Sequence, residues 1–298
     1  MEYVLETKGL TKEYSRTAVV NDVSIKVRKG EIYGFVGKNG AGKTTFIRMV
    51  LGLTKATRGS CTFFGGEERI KAQRKIGSLI EGPALYKNMS ARRNLEIYST
   101  LLGTDPKGID EILEIVGLSD TGKKRTADFS LGMKQRLGIA MALVGDPEFL
   151  ILDEPINGLD PKGIVEIREL LTDLKDKGKT IFISSHILGE LEKTATCYGI
   201  ISSGRLVEEI SADELKKKCG KRIVIKVNDP KKAKDIISDF LKTDKVEIEG
   251  KRLFISREIP NIGELTNALF QKGIVVSGIN EDDNGMEDYF IKKMEEGA

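Results

Sequence analysis

The feature that most constrains this chain is a junction: a short apolar run, Glu31 to Val36, passes into Gly37-Lys38-Asn39-Gly40-Ala41-Gly42-Lys43-Thr44-Thr45, and a helical pattern follows from Phe46 to Leu51. The spacing G-x-x-x-x-G-K-[ST] between a strand and a helix makes a nest for phosphates, because glycines let successive backbone N–H groups turn inward and the helix start adds its partial positive charge. Lys43 is positioned to add a point charge on the β/γ oxygens, and Thr44 offers a hydroxyl to Mg²⁺. Gly37, Asn39, Gly40, Ala41, Gly42, Lys43, Thr44 and Thr45 are therefore the expected nucleotide-binding residues. A loop of this kind belongs to an α/β protein with a P-loop NTPase core.

The first 200 or so residues keep the rhythm of a layered α/β domain, with candidate strands at Val4–Thr7, Val23–Val27, Glu31–Val36, Ile76–Ile80, Phe149–Leu152, Thr180–Ser184 and Tyr198–Ser202. Between Ile80 and Phe149 the pattern is mostly helical, clearest over Ala91–Leu102 and Ile109–Val116, and Gly117 and Gly122 punctuate a linker. The run Phe149-Leu150-Ile151-Leu152-Asp153-Glu154 reads as a strand buried on both faces, with two acids at its carboxyl end, where ligands bind in parallel sheets. Asp153 is expected to hold Mg²⁺ and Glu154 to act as general base.

Beyond the basic stretch Lys216–Arg222 the order is strand (Arg222–Val227), helix (Pro230–Leu241), strand (Lys245–Glu249), strand (Arg252–Ser256), helix (Ile262–Lys272), strand (Ile274–Ile279) and helix (Met286–Glu296). This is the order of a split βαβ, ferredoxin-like unit. The expected domains are residues 1–215, with a helical insertion over about 82–146, and a small C-terminal α+β domain over 221–298. That domain reads either as a packing or dimer-stabilising appendage or as a ligand-binding regulatory module.

The length of 298 residues and the hydrophobic fraction of 40% against 31% charged exclude a disordered or collagen-like chain. No window reaches the roughly 18 apolar residues of a spanning helix, and the N-terminus lacks a secretory pattern, so a cytosolic chain is expected. The net charge of +3 is too mild to indicate nucleic acid. Cys61, Cys197 and Cys219 lack C-x-x-C spacing and read as packing residues.

The segment Phe129-Ser130-Leu131-Gly132-Met133-Lys134-Gln135-Arg136, just before the Asp-Glu strand, resembles the signature of ATP-binding cassette (ABC) ATPases, and the resemblance extends over about residues 2–215. It implies an ABC-type core with an antiparallel β subdomain and a helical insertion. It also implies that Ser130 and Gly132 reach the γ-phosphate of ATP held by a second protomer. On the residues alone Ser130 also reads as a plain helix cap. His186, after the strand Thr180–Ser184, corresponds to the switch histidine that orients the attacking water. Asn157-Gly158-Leu159-Asp160 resembles the loop that crosses the dimer interface, with Asp160 as its acid. Tyr14 falls where the family stacks an aromatic on adenine, although it also reads as a strand-end aromatic.

Leu131 and Met133 depart from the commonest signature. Glu81 stands where the family has a Gln that contacts Mg²⁺; its carboxylate is expected to meet Mg²⁺ through water, and it brings another negative charge toward Asp153 and Glu154. Glu81-Gly82-Pro83-Ala84-Leu85-Tyr86, the Ser-Leu-Gly-Met signature and the terminal Met286-Glu287-Asp288-Tyr289-Phe290 resemble the bacitracin-resistance and lantibiotic-immunity exporter branch. The resemblance implies an ATPase with ATP and Mg²⁺ as cofactors, hydrolysing ATP to power a separate membrane permease that docks near the helical insertion. The pair of ATP-binding subunits is either identical or mixed. The expected location is the inner face of the cell membrane, the expected cargo peptide antibiotics or similar amphiphiles, and no nucleic acid is expected as a partner. A soluble cassette ATPase acting on DNA or ribosomes is the alternative, disfavoured because no heptads separate Lys43 from Ser130.

Overall fold

In the computed structural model, which describes residues 2–219, 222–243, 246–255, 259–282 and 285–297, the chain opens with β1 (Tyr3–Tyr14), β2 (Thr17–Val23), β3 (Lys26–Arg28), β4 (Ile32–Val36), α1 (Lys43–Val50), β5 (Arg58–Phe63), α2 (Arg69–Arg74) and β6 (Ile76–Leu79). The helical insertion follows as α3 (Ala91–Leu102), α4 (Ile109–Ile115) and α5 (Leu131–Leu143). Then come β7 (Phe149–Asp153), α6 (Pro161–Asp176), β8 (Thr180–Ser185), α7 (Leu188–Leu191), β9 (Cys197–Ser202) and β10 (Arg205–Ser211). The remainder is α8 (Ala212–Cys219), β11 (Arg222–Val227), α9 (Pro230–Leu241), β12 (Val246–Glu249), β13 (Arg252–Ile255), α10 (Ile262–Gln271), β14 (Val276–Asp282) and α11 (Gly285–Glu296). The chain divides into two compact units, Met1–Ala212 with Lys292–Ala298, and Asp213–Ile291.

In the first unit a six-stranded sheet runs β10-β9-β4-β8-β7-β6, parallel except for the antiparallel edge strand β10. Strands β4, β7 and β8 are buried at every position. Their unbroken hydrophobic runs are what a parallel sheet covered on both faces demands. Because they are parallel and adjacent, their carboxyl ends share one edge, with Val36 opposite Ser185 and Asp153 opposite Ser184. Three functional loops thus leave the sheet side by side.

A second, antiparallel sheet is built on β1, which pairs with β2, β3 and β5. The core it shares with the large sheet includes Phe35, Phe46 and Phe182. The Phe35 and Phe46 rings lie 4.9 Å apart between centroids. Burying aromatics of this size is worth roughly 2–3 kcal/mol each and fixes α1 on the sheet. In the helical insertion α3, capped by Ser90, has 12 residues. That is too short for a coiled-coil arm.

The predicted strand Val23–Val27 is broken after Val23 and resumes at Lys26. The two pieces pair with different stretches of β1, and the buried Thr7 spans the gap: its hydroxyl donates to Val23 O at 3.1 Å and accepts from Ile25 N at 3.0 Å. Strands β5 and β10 were not read from the sequence because both are mostly exposed or half-buried and carry no hydrophobic run.

In the second unit all pairings are antiparallel in the order β12-β13-β11-β14, with α9 and α10 packed on the sheet. Ile225, Ile237, Leu253, Leu265 and Leu269 form its core. The division differs from the predicted 1–215 and 221–298. The second unit begins at Asp213, and Lys292–Ala298 belongs to the first. There the Ser202 hydroxyl donates to Met294 O at 2.8 Å and Met294 is buried. Lys221, Lys245 and Ser256, at predicted element ends, lie outside the described residues.

Candidate nucleotide site

The loop leaving β4 is shaped by backbone demands. A side chain at Gly37 would meet Ile201 O at 2.6 Å, and one at Gly42 would meet Val19 O at 2.7 Å. Gly40 and Gly42 hold φ of 81° and 101°, a left-handed region that glycine enters without a Cβ penalty. Gly42 caps α1 with no side-chain hydrogen bond, so the first N–H groups of that helix face the loop, as anion binding requires. Asn39 is exposed at the crown, where Ala41 N donates to Lys38 O at 3.1 Å, and Thr45 is half-buried on the first turn of α1.

Lys43 is only 5% exposed. Its ammonium donates to Gly37 O at 2.7 Å and Lys38 O at 3.2 Å, and it lies 3.1 Å from Glu154 Oε1. The next residue, Thr44, donates its hydroxyl to Asp153 Oδ2 at 2.8 Å. Asp153 is buried, and its other oxygen accepts from the Ser184 hydroxyl at 2.5 Å. Glu154 follows in the left-handed region at φ 49°, unusual for a residue with a side chain. Its N–H is held by Ser184 Oγ at 3.0 Å and Ser184 O at 3.2 Å. That kink turns its carboxylate back between Lys43 and His186, whose Nδ1 lies 2.8 Å from Oε2. Lys43, Thr44, Asp153, Glu154 and His186 thus form one constellation at the shared sheet edge.

Ser184 joins both acids of that constellation and was not among the residues singled out from the sequence. Its signal was there: two serines end an otherwise apolar strand directly before His186. Arg48 was missed as well. Glu81 does not join the Thr44–Asp153 pair; its carboxylate accepts from Arg48 Nη2 at 2.8 Å. The extra negative charge expected beside the two acids has its own counter-ion on α1.

Ser130 and Asp160 lie elsewhere. Ser130 caps α5, accepting from Met133 N at 3.2 Å, and Asp160 caps α6, accepting from Gly163 N at 3.1 Å. With Gly132 and Leu159 they line a cavity of about 490 Å³ to which the phosphate loop contributes nothing. Leu131, one of the departures from the commonest signature, is 48% exposed beside it. Tyr14 stands at the end of β1 with its ring half-exposed and the Lys12 ammonium 4.8 Å from the ring centroid. The return strand β2 passes the phosphate loop, since Val19 O is the atom that closes off Gly42.

The ABC transporter family model matches residues 20–157. The chain is 44% identical over 297 residues to the bacitracin transport ATP-binding protein BcrA of Enterococcus faecalis, covering 98% of this chain and 96% of that one. It is 46% identical over 210 residues to the lantibiotic transport ATP-binding protein SrtF of Streptococcus pyogenes, covering 70% of this chain and 92% of that protein. A solved ATP-binding subunit of an ABC transporter superposes with a TM-score of 0.64 at 30% identity, over 72% of this chain and 92% of the other. A phosphate loop aligned with two acids and a histidine, a signature on a separate face, and relatives matched along nearly their whole length together make this chain a member of the ABC family, an ATP-binding ATPase subunit of a transporter.

Proposed function

We propose that two such subunits clasp ATP head to tail, each nucleotide lying between one phosphate loop and the Ser130–Gly132 face of the partner. The observation that carries this reading is the separation within one chain: Ser130, Gly132 and Asp160 line a cavity that the phosphate loop does not enter. A second protomer would bring the two half-sites together. Closure that depends on γ-phosphate contacts is a population shift able to do work on an attached partner.

The donor set suits Mg²⁺. Thr44 Oγ1 and Asp153 Oδ2 are adjacent hard oxygens. Among the described residues no group of three His, Cys, Asp or Glu side chains could hold a metal alone, and Mg²⁺ is usually held by one or two carboxylates together with substrate phosphates. Thr44 and Asp153 would hold the ion, which would supply positive charge to offset the negative charge that develops in phosphoryl transfer. Lys43 would exchange its carbonyl partners and Glu154 for phosphate oxygens. Glu154, released from that ammonium, accepts a proton from the attacking water, and His186 orients the pair through Nδ1. Tyr14 offers a face on which adenine stacks.

The permease would dock in an apolar groove of about 380 Å³ lined by Ala84, Leu85, Tyr86, Ile97, Tyr98 and Leu101. Tyr86 and Leu101 are 52% and 72% exposed there, as an interaction patch requires. Among the described residues no helix is long and apolar enough to cross a membrane. As an ATP-binding subunit of a transporter, it is assigned to the inner face of the cell membrane, held by its permease. The names of BcrA and SrtF support peptide antibiotics or similar amphiphiles as cargo. The second unit, with its strand order, is read as a ferredoxin-like appendage that stabilises the dimer.

Replacing Glu154 by Gln tests the core of this reading. The variant is expected to retain ATP, to lose roughly 100-fold or more in turnover, and to sediment and scatter light as an ATP-dependent dimer. Full activity would remove Glu154 from the mechanism, and an ATP-bound monomer would remove the head-to-tail clasp.

A further inference from the structure

Arg48 sits one turn after Thr44 on α1, at the i+4 position that shares a helix face with it. Thr44 bonds Asp153 at the end of β7, and β7 pairs with β6 so that Leu79 lies opposite Leu152. Glu81 follows two residues after Leu79. One carboxylate therefore leaves the sheet beside the strand that carries the metal-binding acid, and in this structure it is paired with a guanidinium on the phosphate-loop helix at 2.8 Å.

The chain turns sharply at Glu81. Glu81 holds φ 56° and Gly82 φ 109°, two successive left-handed residues, and no atom lies within 4 Å of where a Gly82 side chain would begin. Directly beyond, Pro83 packs against Gly138 of α5, whose Cβ position is 3.0 Å from Pro83 Cβ. Ala84, Leu85 and Tyr86 then form one wall of the apolar groove. The Arg48 and Glu81 side chains are 44% and 59% exposed. An ion pair this wet is held weakly and exchanges partners readily, and a divalent cation is a stronger local charge than a guanidinium.

We propose that Arg48 is a positioning residue that holds Glu81 while the phosphate loop is without metal and yields it when a divalent cation arrives with nucleotide, so that one carboxylate is shared between two cations. This inference rests on the nucleotide site as read above and adds to it a residue that touches neither nucleotide nor metal.

The experiment measures how much Mg²⁺ improves ATP affinity, as the ratio of dissociation constants in EDTA and in Mg²⁺, by equilibrium dialysis of radiolabelled ATP. It uses the full chain in the Glu154→Gln background, which keeps the nucleotide intact. Five proteins are compared: Arg48 or Arg48→Gln, each with Glu81 or Glu81→Gln, and Arg48→Lys with Glu81. With Glu81 present, Arg48→Gln is expected to raise the metal-dependent gain about two- to fivefold, the size of a lost exposed ion pair. With Glu81→Gln, the same substitution is expected to leave the gain unchanged. Arg48→Lys, which keeps a charge but not the planar fork, should fall between. An equal rise with and without Glu81 would mean simple charge removal and overturn the proposal, as would no rise at all. If none of the proteins binds ATP in EDTA or in Mg²⁺, the nucleotide site itself has been misread; if all bind and the coupling is absent, only the role of Arg48 falls.

Discussion

Ser184→Ala removes one oxygen from a fully buried position, and the structure sets the size of the effect. The hydroxyl donates to Asp153 Oδ1 at 2.5 Å and accepts from Glu154 N at 3.0 Å. Glu154 N keeps a second acceptor, Ser184 O at 3.2 Å, so losing that bond costs little. Among the described residues, the Thr44 hydroxyl is then the one side-chain donor left to the buried Asp153 carboxylate. Withdrawing a donor from a buried charge costs about 2–3 kcal/mol, roughly 30-fold or more in the ratio of folded to unfolded chain. Ser185→Ala is the matched control. Ser185 is equally buried, but its hydroxyl accepts from the neutral Ile187 N at 2.9 Å, so its loss should cost about 1 kcal/mol. Urea unfolding of the three proteins, followed by circular dichroism at constant slope, gives both differences. Equal losses for the two serines, or a loss below about 1 kcal/mol for Ser184→Ala, would refute the view that this hydroxyl supports the acid pair.

Two further outcomes follow from the same geometry. Gly42→Ala places a Cβ at φ 101°, 2.7 Å from Val19 O, so it should destabilise the chain by about 1–3 kcal/mol and abolish ATP retention on a filter; a variant that binds ATP normally would mean that β2 yields easily. Burial pushes the Cys61 and Cys197 thiols up to about 12, leaving almost no thiolate at neutral pH. Both should react far more slowly with iodoacetamide in the folded chain than after denaturation, as peptide mass mapping would report, whereas fast labelling of either in native protein would contradict thiols held protonated in partly buried sites.

Much of the site was legible because its chemistry is local in sequence. Gly37 to Thr45 carries its own turn conformations, and Asp153 and Glu154 announce themselves by ending a run too apolar to be anything but a buried strand. In the second unit the predicted bounds of Arg222–Val227 and Pro230–Leu241 coincide with β11 and α9, because the β-branched run Ile223 to Ile225 and the Asp229 cap mark them. What stayed hidden depended on neighbours distant along the chain. The strand predicted across Val23–Val27 breaks because Thr7 bonds both sides of the gap. Ser184 looked like the tail of a strand until β7 and β8 were set side by side. Glu81 looked like an uncompensated charge until α1 brought Arg48 to it.

By itself, the sequence set the expectation that phosphates bind after Val36, showed that two acids and a histidine follow later strands, and carried a signature that resembles that of a cassette ATPase, since each is written in a contiguous run whose conformation is set by its own residues. Tertiary structure alone decided that Lys43 and His186 share the Glu154 carboxylate, that Ser184 joins both acids, and that Ser130 lines a cavity the phosphate loop does not enter. The reason is that register between parallel strands, which aligns residues more than a hundred positions apart, comes from packing a common core and is written in no single segment.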